Sequence, residues 1–336
     1  MATWRGETRF TIDEAPEPVP GGGEVLVRVH TAGICGTDIH TTQGLFPVTP
    51  PRVLGHEYSG VVVRVGKGVG RQLLDRTVAC EPSYGCGTCA ECRVRRVSQC
   101  ARCTRVGGFA ERVVLPRRNV HLLPDGLDPV TAALTEPAAC CLAGLEMIRL
   151  PPRATVLIIG GGVMGLLTLA LARARGAATV ILSDPVGGRR EAARRLGAGV
   201  VVDPTTEAVS DVVARLTDGR GVDLACEAVG KPELVGQAIA ATRPRGVVQL
   251  VGVNPVGSTL PADLYDIHWR ELTIQGAFGR GTAFRRALAL LPALKVHELV
   301  TARFPLVRIE DAFAHAAAGH GLKTVITPGE APRSGA

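Results

Sequence analysis

Four cysteines in the first third of the chain have the spacing of a metal site. They are Cys86, Cys89, Cys92 and Cys100, in the order C-x2-C-x2-C-x7-C. Four thiolates so close together match the tetrahedral ligand set of a structural zinc ion, with Zn–S distances of about 2.3 Å. The segment around them has too few apolar residues to form its own core, so metal binding would supply its folding free energy. The spacing therefore predicts a structural zinc site and by itself indicates no chemistry.

A second set of metal-binding side chains lies upstream, in the segments G-I-C-G-T-D-I-H and G-H-E-Y. These segments supply a thiolate, an imidazole and a carboxylate, from Cys35, His56 and Glu57. Three protein ligands of mixed type leave one position of a zinc ion open for water or substrate. We therefore predict a catalytic zinc ion at these residues.

A glycine-rich segment, G-x-G-x-x-G, follows a short apolar run and opens a helix-like stretch. In that context the glycines permit a tight turn and close approach of the backbone to a pyrophosphate, whose charge the helix N-terminus binds. Asp184 ends the next strand-like run, and a carboxylate there favours NAD over NADP, although Arg189 and Arg190 could instead meet a phosphate. The predicted cofactor-binding residues are Gly160, Gly162, Val163, Met164, Gly165, Asp184 and Arg189.

The composition excludes several classes of protein. The chain has 336 residues, 46% of them hydrophobic and 21% charged, which allows two ordinary domains with substantial cores and argues against disorder. No apolar run approaches the ~20 residues of a membrane span, and the N-terminus lacks the apolar stretch of a secretory signal. Ten cysteines without such a signal indicate thiols and metal ligands in a reducing, cytoplasmic environment.

The net charge of +7 introduces one non-enzymatic alternative, a zinc ribbon that binds nucleic acid. Five arginines crowd the cysteine-rich segment: Arg93, Arg95, Arg96, Arg102 and Arg105. Against this alternative, the segment lacks interleaved aromatic residues, and aromatic residues form only 4% of the chain. We therefore expect neither a nucleic-acid nor a membrane partner.

Two regions of different pattern must position these residues. Residues 1–140 are predicted to be rich in β-strands, for example at 24–30 and 58–65. After Pro151 and Pro152, apolar strand-like runs alternate with amphipathic segments, which predicts an α/β fold with a parallel, doubly wound sheet. The runs are 155–159, 179–182, 200–202, 222–226 and 247–251, with a further short run at 272–275. The stretch 304–327 carries a helix and a strand with no place in such a sheet, so we expect the chain to return to the first region.

These segments, in this order, resemble the zinc-dependent medium-chain dehydrogenase/reductase family over residues 24–327. The resemblance implies a GroES-like catalytic domain at 1–140 with a structural zinc lobe at about 81–105, a Rossmann NAD-binding domain at 141–276, and a return to the catalytic domain at 277–336.

The same resemblance assigns the four spaced cysteines to the structural zinc, and Cys35 and His56 to the catalytic zinc. Sorbitol- and threonine-dehydrogenase-like members add a carboxylate to the catalytic site. Glu57 and Glu136, the latter in T-E-P-A, both match such positions, and which of them binds metal stays open.

The resemblance also implies a reaction. Asp38 matches a carboxylate that orients the histidine ligand, while Thr37 and His40 match the positions of a proton relay. In such an enzyme zinc lowers the pKa of the substrate hydroxyl, the proton leaves through Thr37 and the ribose to His40, and hydride passes to nicotinamide. We expect an NAD-dependent alcohol dehydrogenase with a small-molecule substrate, assembled as a homodimer or homotetramer.

Departures from the sorbitol dehydrogenases leave the substrate open. Thr41 stands where those enzymes carry an aromatic residue, and Gly279 follows Phe278 where they carry an arginine. The order Phe278-Gly279-Arg280 is closer to threonine dehydrogenases. We expect a secondary alcohol on a polar frame, namely a polyol, a cyclitol or aminocyclitol, or a 3-hydroxy amino acid, with an L-threonine 3-dehydrogenase-like enzyme as the specific alternative. A zinc-free reductase of the same superfamily fits the complete ligand set poorly.

Overall fold

The computed structural model describes residues 1–46 and 48–329, and the chain divides into two compact units. Unit 1 contains residues 1–139 and 284–293 and the chain from 297 onward, and unit 2 contains 140–283 and 294–296. Residues 330–336, which belong to the expected return segment, lie outside the described part. Within the described part, no helix has both the length and the apolar character needed to cross a membrane.

Strands and α-helices are numbered in chain order. The strands are β1 (Ala2–Gly6), β2 (Arg9–Ile12), β3 (Glu24–Gly33), β4 (Arg52–Val53), β5 (Glu57–Val65), β6 (Thr77–Cys80), β7 (Ser83–Tyr84), β8 (Thr104–Arg105), β9 (Arg112–Pro116), β10 (Val120–Leu122), β11 (Thr155–Ile159), β12 (Thr179–Ser183), β13 (Val200–Val202), β14 (Val222–Glu227), β15 (Thr242–Leu250), β16 (Thr273–Gly276), β17 (Val300–Pro305) and β18 (Lys323–Thr327).

The α-helices are α1 (Gly36–Thr42), α2 (Ala90–Arg93), α3 (Pro129–Ala132), α4 (Thr135–Glu146), α5 (Val163–Ala174), α6 (Gly187–Arg195), α7 (Val209–Thr217), α8 (Pro232–Ala241), α9 (Leu264–Trp269), α10 (Phe284–Leu294) and α11 (Ile309–Ala317). Short 3-10 helices occur at Arg71–Leu73, Val97–Gln99, Arg117–Asn119, Val296–Leu299 and Leu306–Arg308.

Unit 1 is built on a seven-stranded sheet centred on β3. The strands run in the order β10-β6-β5-β3-β18-β17, and β9 also pairs with β3. The valines of β3 are buried in a core with Phe109 of the neighbouring loop and Phe313 of α11, as expected for β-branched side chains on a pleated, half-buried surface. The last strand, β18, lies antiparallel to β3 with Ile326 opposite Ala32, which places Lys323 and its neighbours beside the strand that leads to Cys35.

Unit 2 is a six-stranded parallel sheet in the order β13-β12-β11-β14-β15-β16. The strand order reverses between β11 and β14, and open sheets of this kind bind ligands at the carboxyl ends of the strands on either side of such a reversal. The predicted fold class, a β-rich GroES-like domain with a doubly wound parallel sheet, is confirmed.

One strand of unit 2 begins earlier than its apolar run indicates. The run starts at Val247, whereas β15 already begins at Thr242, within the polar segment T-R-P-R-G. Thr242 pairs with Val222, and the register shifts before Val247 pairs with Leu224. Hydrophobicity marks only the second half of this strand, because the part before the irregularity is polar, with Pro244 and Arg245 exposed.

Candidate functional site

The cysteine-rich lobe of residues 81–105 brings its four spaced cysteines together. The Sγ atoms of Cys86, Cys89, Cys92 and Cys100 all lie within 4.8 Å of one another. Cys86 and Cys92 are 4.0 Å apart, close to the about 3.8 Å between sulfurs in a tetrahedral site with zinc–sulfur bonds of about 2.3 Å. Cys103 lies in the same lobe but outside this group. Four converging thiols fit a closed site for zinc.

Cys86 has surroundings that favour the thiolate a metal requires. Its Sγ accepts hydrogen bonds from the Thr88 hydroxyl at 3.5 Å and from Arg102 Nη2 at 3.3 Å. The Thr88 hydroxyl and the nearby backbone N–H groups lower the pKa of Cys86 to about 5. Although the N–H of Gly87 favours the Cys92 thiolate, burial and the neighbouring sulfurs raise the pKa of Cys92 to about 12. A metal ion would therefore displace a proton from Cys92 and meet an ionised Cys86.

The mixed group of Cys35, His56 and Glu57 is assembled by two paired strands. Gly33 at the end of β3 lies opposite Glu57 at the start of β5, so the residues just beyond this pair come together. Cys35 precedes α1 as its N-cap residue. The ligand atoms of the three residues all lie within 4.8 Å of one another, and a thiol, an imidazole and a carboxylate at this spacing fit an open zinc site.

Asp38 ties the parts of this mixed group to one another. Its buried carboxylate accepts the N–H of Cys35 at 3.0 Å and that of Gly55 at 3.2 Å, and lies 3.4 Å from His56 Nδ1. Burial opposes ionisation, but attraction to His56 together with the hydrogen bonds from His56, Cys35 and Gly55 outweighs it and lowers the pKa of Asp38. Burial likewise disfavours the imidazolium, yet Asp38 and then Cys35 raise the pKa of His56 well above its ordinary value. This contact orients the imidazole and fixes its tautomer.

Glu57 has a partner that the sequence did not reveal. Lys323 Nζ lies 2.7 Å from Glu57 Oε2 and 3.0 Å from Oε1, and it also donates to the carbonyl of Ile34 at 3.0 Å. Both side chains are buried. Burial disfavours the ammonium, but Glu57 and then Cys35 raise the pKa of Lys323 above its ordinary value. The carboxylate nearest the predicted metal is thus held by an ammonium group of β18.

The remaining predicted residues of unit 1 lie on two helices. Glu136 is buried in the first turn of α4 and is not a member of the mixed group. Thr37 and His40 are half-buried on α1, where the His40 ring packs 5.9 Å from that of Phe46. Helix α1 therefore carries Thr37, Asp38 and His40 directly after Cys35.

In unit 2 the glycine-rich segment forms the turn between β11 and α5. Gly160 has a φ of +105°, which glycine adopts readily, and α5 begins at Val163, so Val163, Met164 and Gly165 form its first turn. Gly165 lies so close to the carbonyl of Gly160 that a side chain would collide with it. The unbonded N–H groups at this helix N-terminus suit a negatively charged phosphate.

Asp184 is bonded to the same turn. Its Oδ2 accepts the N–H of Gly161 at 2.7 Å and its Oδ1 that of Val186 at 2.8 Å, leaving further lone pairs on each oxygen. Arg190 is committed to Asp203 at 2.7 Å, whereas Arg189 Nη1 lies 3.6 Å from Asp184. The Nε of Arg189 is buried and makes no hydrogen bond within residues 1–46 and 48–329. Arg189 is therefore the arginine better placed to respond to a bound ligand.

Known proteins match this chain along nearly its whole length. Residues 21–125 match the alcohol dehydrogenase GroES-like domain, and residues 163–293 match the zinc-binding dehydrogenase family. The chain is 32% identical to L-threonine 3-dehydrogenase of Saccharopolyspora erythraea over 94% of each sequence, and 32% identical to sorbitol dehydrogenase of Halalkalibacterium halodurans over 98% of each. A candidate zinc-binding dehydrogenase from Sinorhizobium meliloti 1021, solved bound to NADP, is 36% identical with a TM-score of 0.91, covering 97% of this chain and 98% of that one.

Proposed function

Because this chain belongs to the zinc-dependent medium-chain dehydrogenase/reductase family and is an oxidoreductase, we propose that it oxidises a secondary alcohol to a ketone. The observation that carries the proposal is the mixed group of Cys35, His56 and Glu57, whose ligand atoms converge within 4.8 Å beside the orienting carboxylate of Asp38. A zinc ion in this group would supply Lewis acidity to the alcohol oxygen. The hydride acceptor in the proposal is a nicotinamide dinucleotide bound by unit 2.

Two zinc ions per chain belong to the proposal, one in each group of ligands. The four cysteines of the lobe would close a tetrahedral site and stabilise residues 81–105. Cys35 and His56 would hold the catalytic ion. Glu57 is near enough to join them, and its bond to Lys323 must then weaken or break; Glu136 is the second candidate, since α4 places it at a buried position.

Thr37 and His40 are proposed to carry the substrate proton outward. Both follow Cys35 on α1 and are half-buried, so each side chain can contact both the protein interior and the solvent. His40→Ala should slow oxidation most at low pH, where no strong external base replaces the imidazole, and imidazole buffer should restore part of the rate. Thr37→Ala should slow it more, and both variants should keep their zinc. A His40→Ala enzyme with the wild-type pH profile would remove His40 from the relay.

For the dinucleotide we propose NAD, through Asp184. A carboxylate at the end of β12 can accept the ribose hydroxyls with its remaining lone pairs and repels a 2′-phosphate. NADP is the alternative, which the NADP-bound relative and the incompletely bonded Arg189 favour. Asp184→Ala should lower the affinity for NAD and so reduce the difference in affinity between NAD and NADP. A wild-type enzyme that prefers NADP would instead identify Arg189 as the dominant residue.

The proposed substrates are polyols, cyclitols or aminocyclitols, and 3-hydroxy amino acids. Relatives named sorbitol dehydrogenase and L-threonine 3-dehydrogenase support the first and last of these classes. L-threonine 3-dehydrogenase activity is the specific second candidate. Several other curated relatives bear that name, one of them with 37% identity over 80% of this chain.

The deciding experiment is a substrate panel followed at the nicotinamide absorbance, with NAD and NADP in parallel. The panel contains sorbitol, other polyols, inositols, L-threonine and L-serine, each before and after chelation and again after zinc is restored. We expect oxidation of at least one secondary alcohol that is lost on chelation and recovered with zinc. Activity that survives complete removal of zinc would refute the catalytic role of the mixed group.

Self-association and a cytoplasmic location complete the proposal. Large apolar side chains are exposed in unit 2 around the edge strand β16: Val256 by 93%, Leu264 by 75%, Trp269 by 73%, Tyr265 by 67% and Phe278 by 64%. Apolar exposure of this extent is typical of protein interfaces, which supports a homodimer or homotetramer. None of the ten cysteines forms a disulfide, as is usual in the reducing cytoplasm. Light scattering of wild type and Trp269→Glu tests the assembly, and a wild-type monomer would refute it.

A further inference from the structure

Glu227, the last residue of β14, is a buried acid that the proposed chemistry does not use. Its exposed fraction is 0%. Its Oε1 accepts the N–H of Val229 at 2.7 Å and that of Gly230 at 2.8 Å, while its Oε2 is buried and makes no hydrogen bond among the described residues. Burying a carboxyl group with one oxygen unsatisfied costs free energy, so a compensating role is expected.

The first clue to that role is the strand on which Glu227 lies. Strands β14 and β11 are the neighbours between which the strand order of unit 2 reverses. The turn after β14 packs on the glycine-rich turn after β11. The N–H of Ala228 donates to the carbonyl of Ile159 at 2.9 Å, and a Cβ on Gly160 would lie only 2.6 Å from Val229 Cγ2. In the proposed dinucleotide site, the turn that Glu227 closes would therefore form one wall of the crevice.

Glu227 also contacts the loop that follows β15. Its main-chain carbonyl accepts the N–H groups of Val251 and Gly252, each at 2.8 Å. A Cβ on Gly252 would lie 2.8 Å from Glu227 Oε2, so only glycine fits beside the carboxyl group. The loops after β14 and β15 thus meet at Glu227, and the loop after β14 in turn contacts the loop after β11 through Ala228 and Val229.

We propose that Glu227 is a positioning residue for the dinucleotide, which fixes the turn of residues 228–230 against Gly160 so that the crevice has its binding shape before the ligand arrives. A preformed site spares the ligand the cost of ordering the loop. Two N–H groups converge on one oxygen, which a carboxyl or amide side chain of this length satisfies and an apolar side chain does not. Burial raises the pKa of Glu227, which agrees with the idea that a neutral amide can take its place.

The proposal rests on dinucleotide binding by unit 2, and its test uses the other end of the same strand as a control. Asp223, near the start of β14, is also a side-chain acceptor for backbone: its Oδ2 accepts the N–H of Thr155 at 2.7 Å, and its Oδ1 accepts Arg243 Nε at 2.7 Å. It lies at the amino end of the strands, away from the crevice at their carboxyl ends. Asp223→Ala therefore reports the loss of a structural carboxylate without loss of the crevice wall.

The experiment titrates the full-length wild type and the variants Glu227→Ala, Glu227→Gln and Asp223→Ala with NADH and with NADPH, followed by nicotinamide fluorescence, alongside thermal unfolding. We expect Glu227→Ala to raise Kd roughly ten-fold or more, since two N–H groups lose their acceptor, and Glu227→Gln to stay within about three-fold. Asp223→Ala should lower the unfolding temperature but leave Kd within about two-fold of wild type. In steady state, Glu227→Ala should raise the KM for dinucleotide while kcat at saturation stays near that of wild type.

A folded Glu227→Ala protein with wild-type Kd would overturn the inference, and so would an Asp223→Ala protein that loses affinity equally. If Glu227→Ala does not fold, Glu227→Asp decides in the same way, because its shorter side chain keeps the carboxylate but loses reach to Val229. A wild-type protein that binds neither dinucleotide would refute the proposed function instead, which separates the two failures.

Discussion

Two groups of side chains in unit 1 that could hold a metal ion have opposite designs. The lobe group has four identical ligands within one short segment, three of them half-exposed, and an arginine and a threonine hydroxyl bonded to its sulfur. The mixed group has three different ligands from two segments. Beside them lie the buried carboxylate of Asp38, from the Cys35 segment, and the buried Lys323, from the distant strand β18.

This difference separates stability from reactivity. Four thiolates satisfy a zinc ion completely, so binding there yields folding free energy and no free position for substrate. Three ligands of mixed type leave a position open, and the charges around them, Asp38 and Lys323, tune the group rather than complete it. Zinc would thus have two unrelated roles within one unit, to stabilise the lobe and to act in catalysis at the mixed group.

The largest effect should follow from removing the thiol of the mixed group. Cys35→Ser should lower kcat/KM by roughly a thousand-fold or more, because the Lewis acid is lost or misplaced, while the protein remains folded. Turnover, metal content and circular dichroism together test this. Cys103→Ser, which removes a thiol outside both groups, should match wild type in all three measurements. Full activity in Cys35→Ser would refute a catalytic zinc ion bound by Cys35.

The lobe should show the reverse pattern. Cys89→Ser should reduce zinc from two ions per chain to one and lower the unfolding temperature by about 5 °C or more, because three ligands cannot hold the loop. The fraction that stays folded should keep a kcat near that of wild type. Metal analysis and thermal unfolding check it, with Cys103→Ser again as control. One zinc ion per chain in fresh wild-type protein would contradict the division into two sites.

The Glu57–Lys323 pair offers a sharper test of the mixed group. Lys323→Met leaves a buried carboxylate without its cation and should lower the free energy of unfolding by about 3–5 kcal/mol in chelated protein. The loss should shrink when zinc is present, because the metal supplies positive charge near Glu57. Denaturant unfolding with and without zinc measures both values, and Lys323→Arg should recover most of the stability. An equal loss of unfolding free energy with and without zinc would mean that the metal does not interact with Glu57.

A smaller effect is expected from the carboxylate beside His56. Asp38→Asn keeps the shape but removes the charge that orients the imidazole and raises its pKa, so the affinity of the mixed group for zinc should fall about 10–100-fold. The lobe should keep its zinc, since Asp38 does not contact it. Competition with a chromogenic chelator resolves the two ions, and an unchanged affinity would limit Asp38 to capping α1.

Local patterns predicted much of this protein because their physical causes are local. The run 155–159 coincides with β11, since buried parallel strands are continuously apolar, and the run 200–202 coincides with the half-buried edge strand β13. The expected short run 272–275 corresponds to β16 at Thr273–Gly276. The start of β15 was not predicted, because T-R-P-R-G contains no apolar run.

The candidate site divides in the same way. The candidate zinc ligands could be predicted from their residue types and from the glycines around them, both for Cys86 and its partners and for Cys35 and His56. Glu227 was missed, and its only signal is an acid that ends an apolar strand before A-V-G. Lys323 was missed because a single lysine at the head of a strand normally points to solvent.

By itself the sequence determined the family, the parallel and β-rich regions, and which residues can bind metal or approach a phosphate, because spacing and side-chain chemistry are written along the chain. Only the tertiary structure decided which partners the buried carboxylates bond to. Glu57 meets Lys323 because β18 pairs with β3, Asp184 accepts the N–H of Gly161, and Glu227 accepts two N–H groups of the turn after β14. Those bonds depend on strand order and on burial, because a buried polar group must bond to a partner within reach, however distant that partner is along the chain.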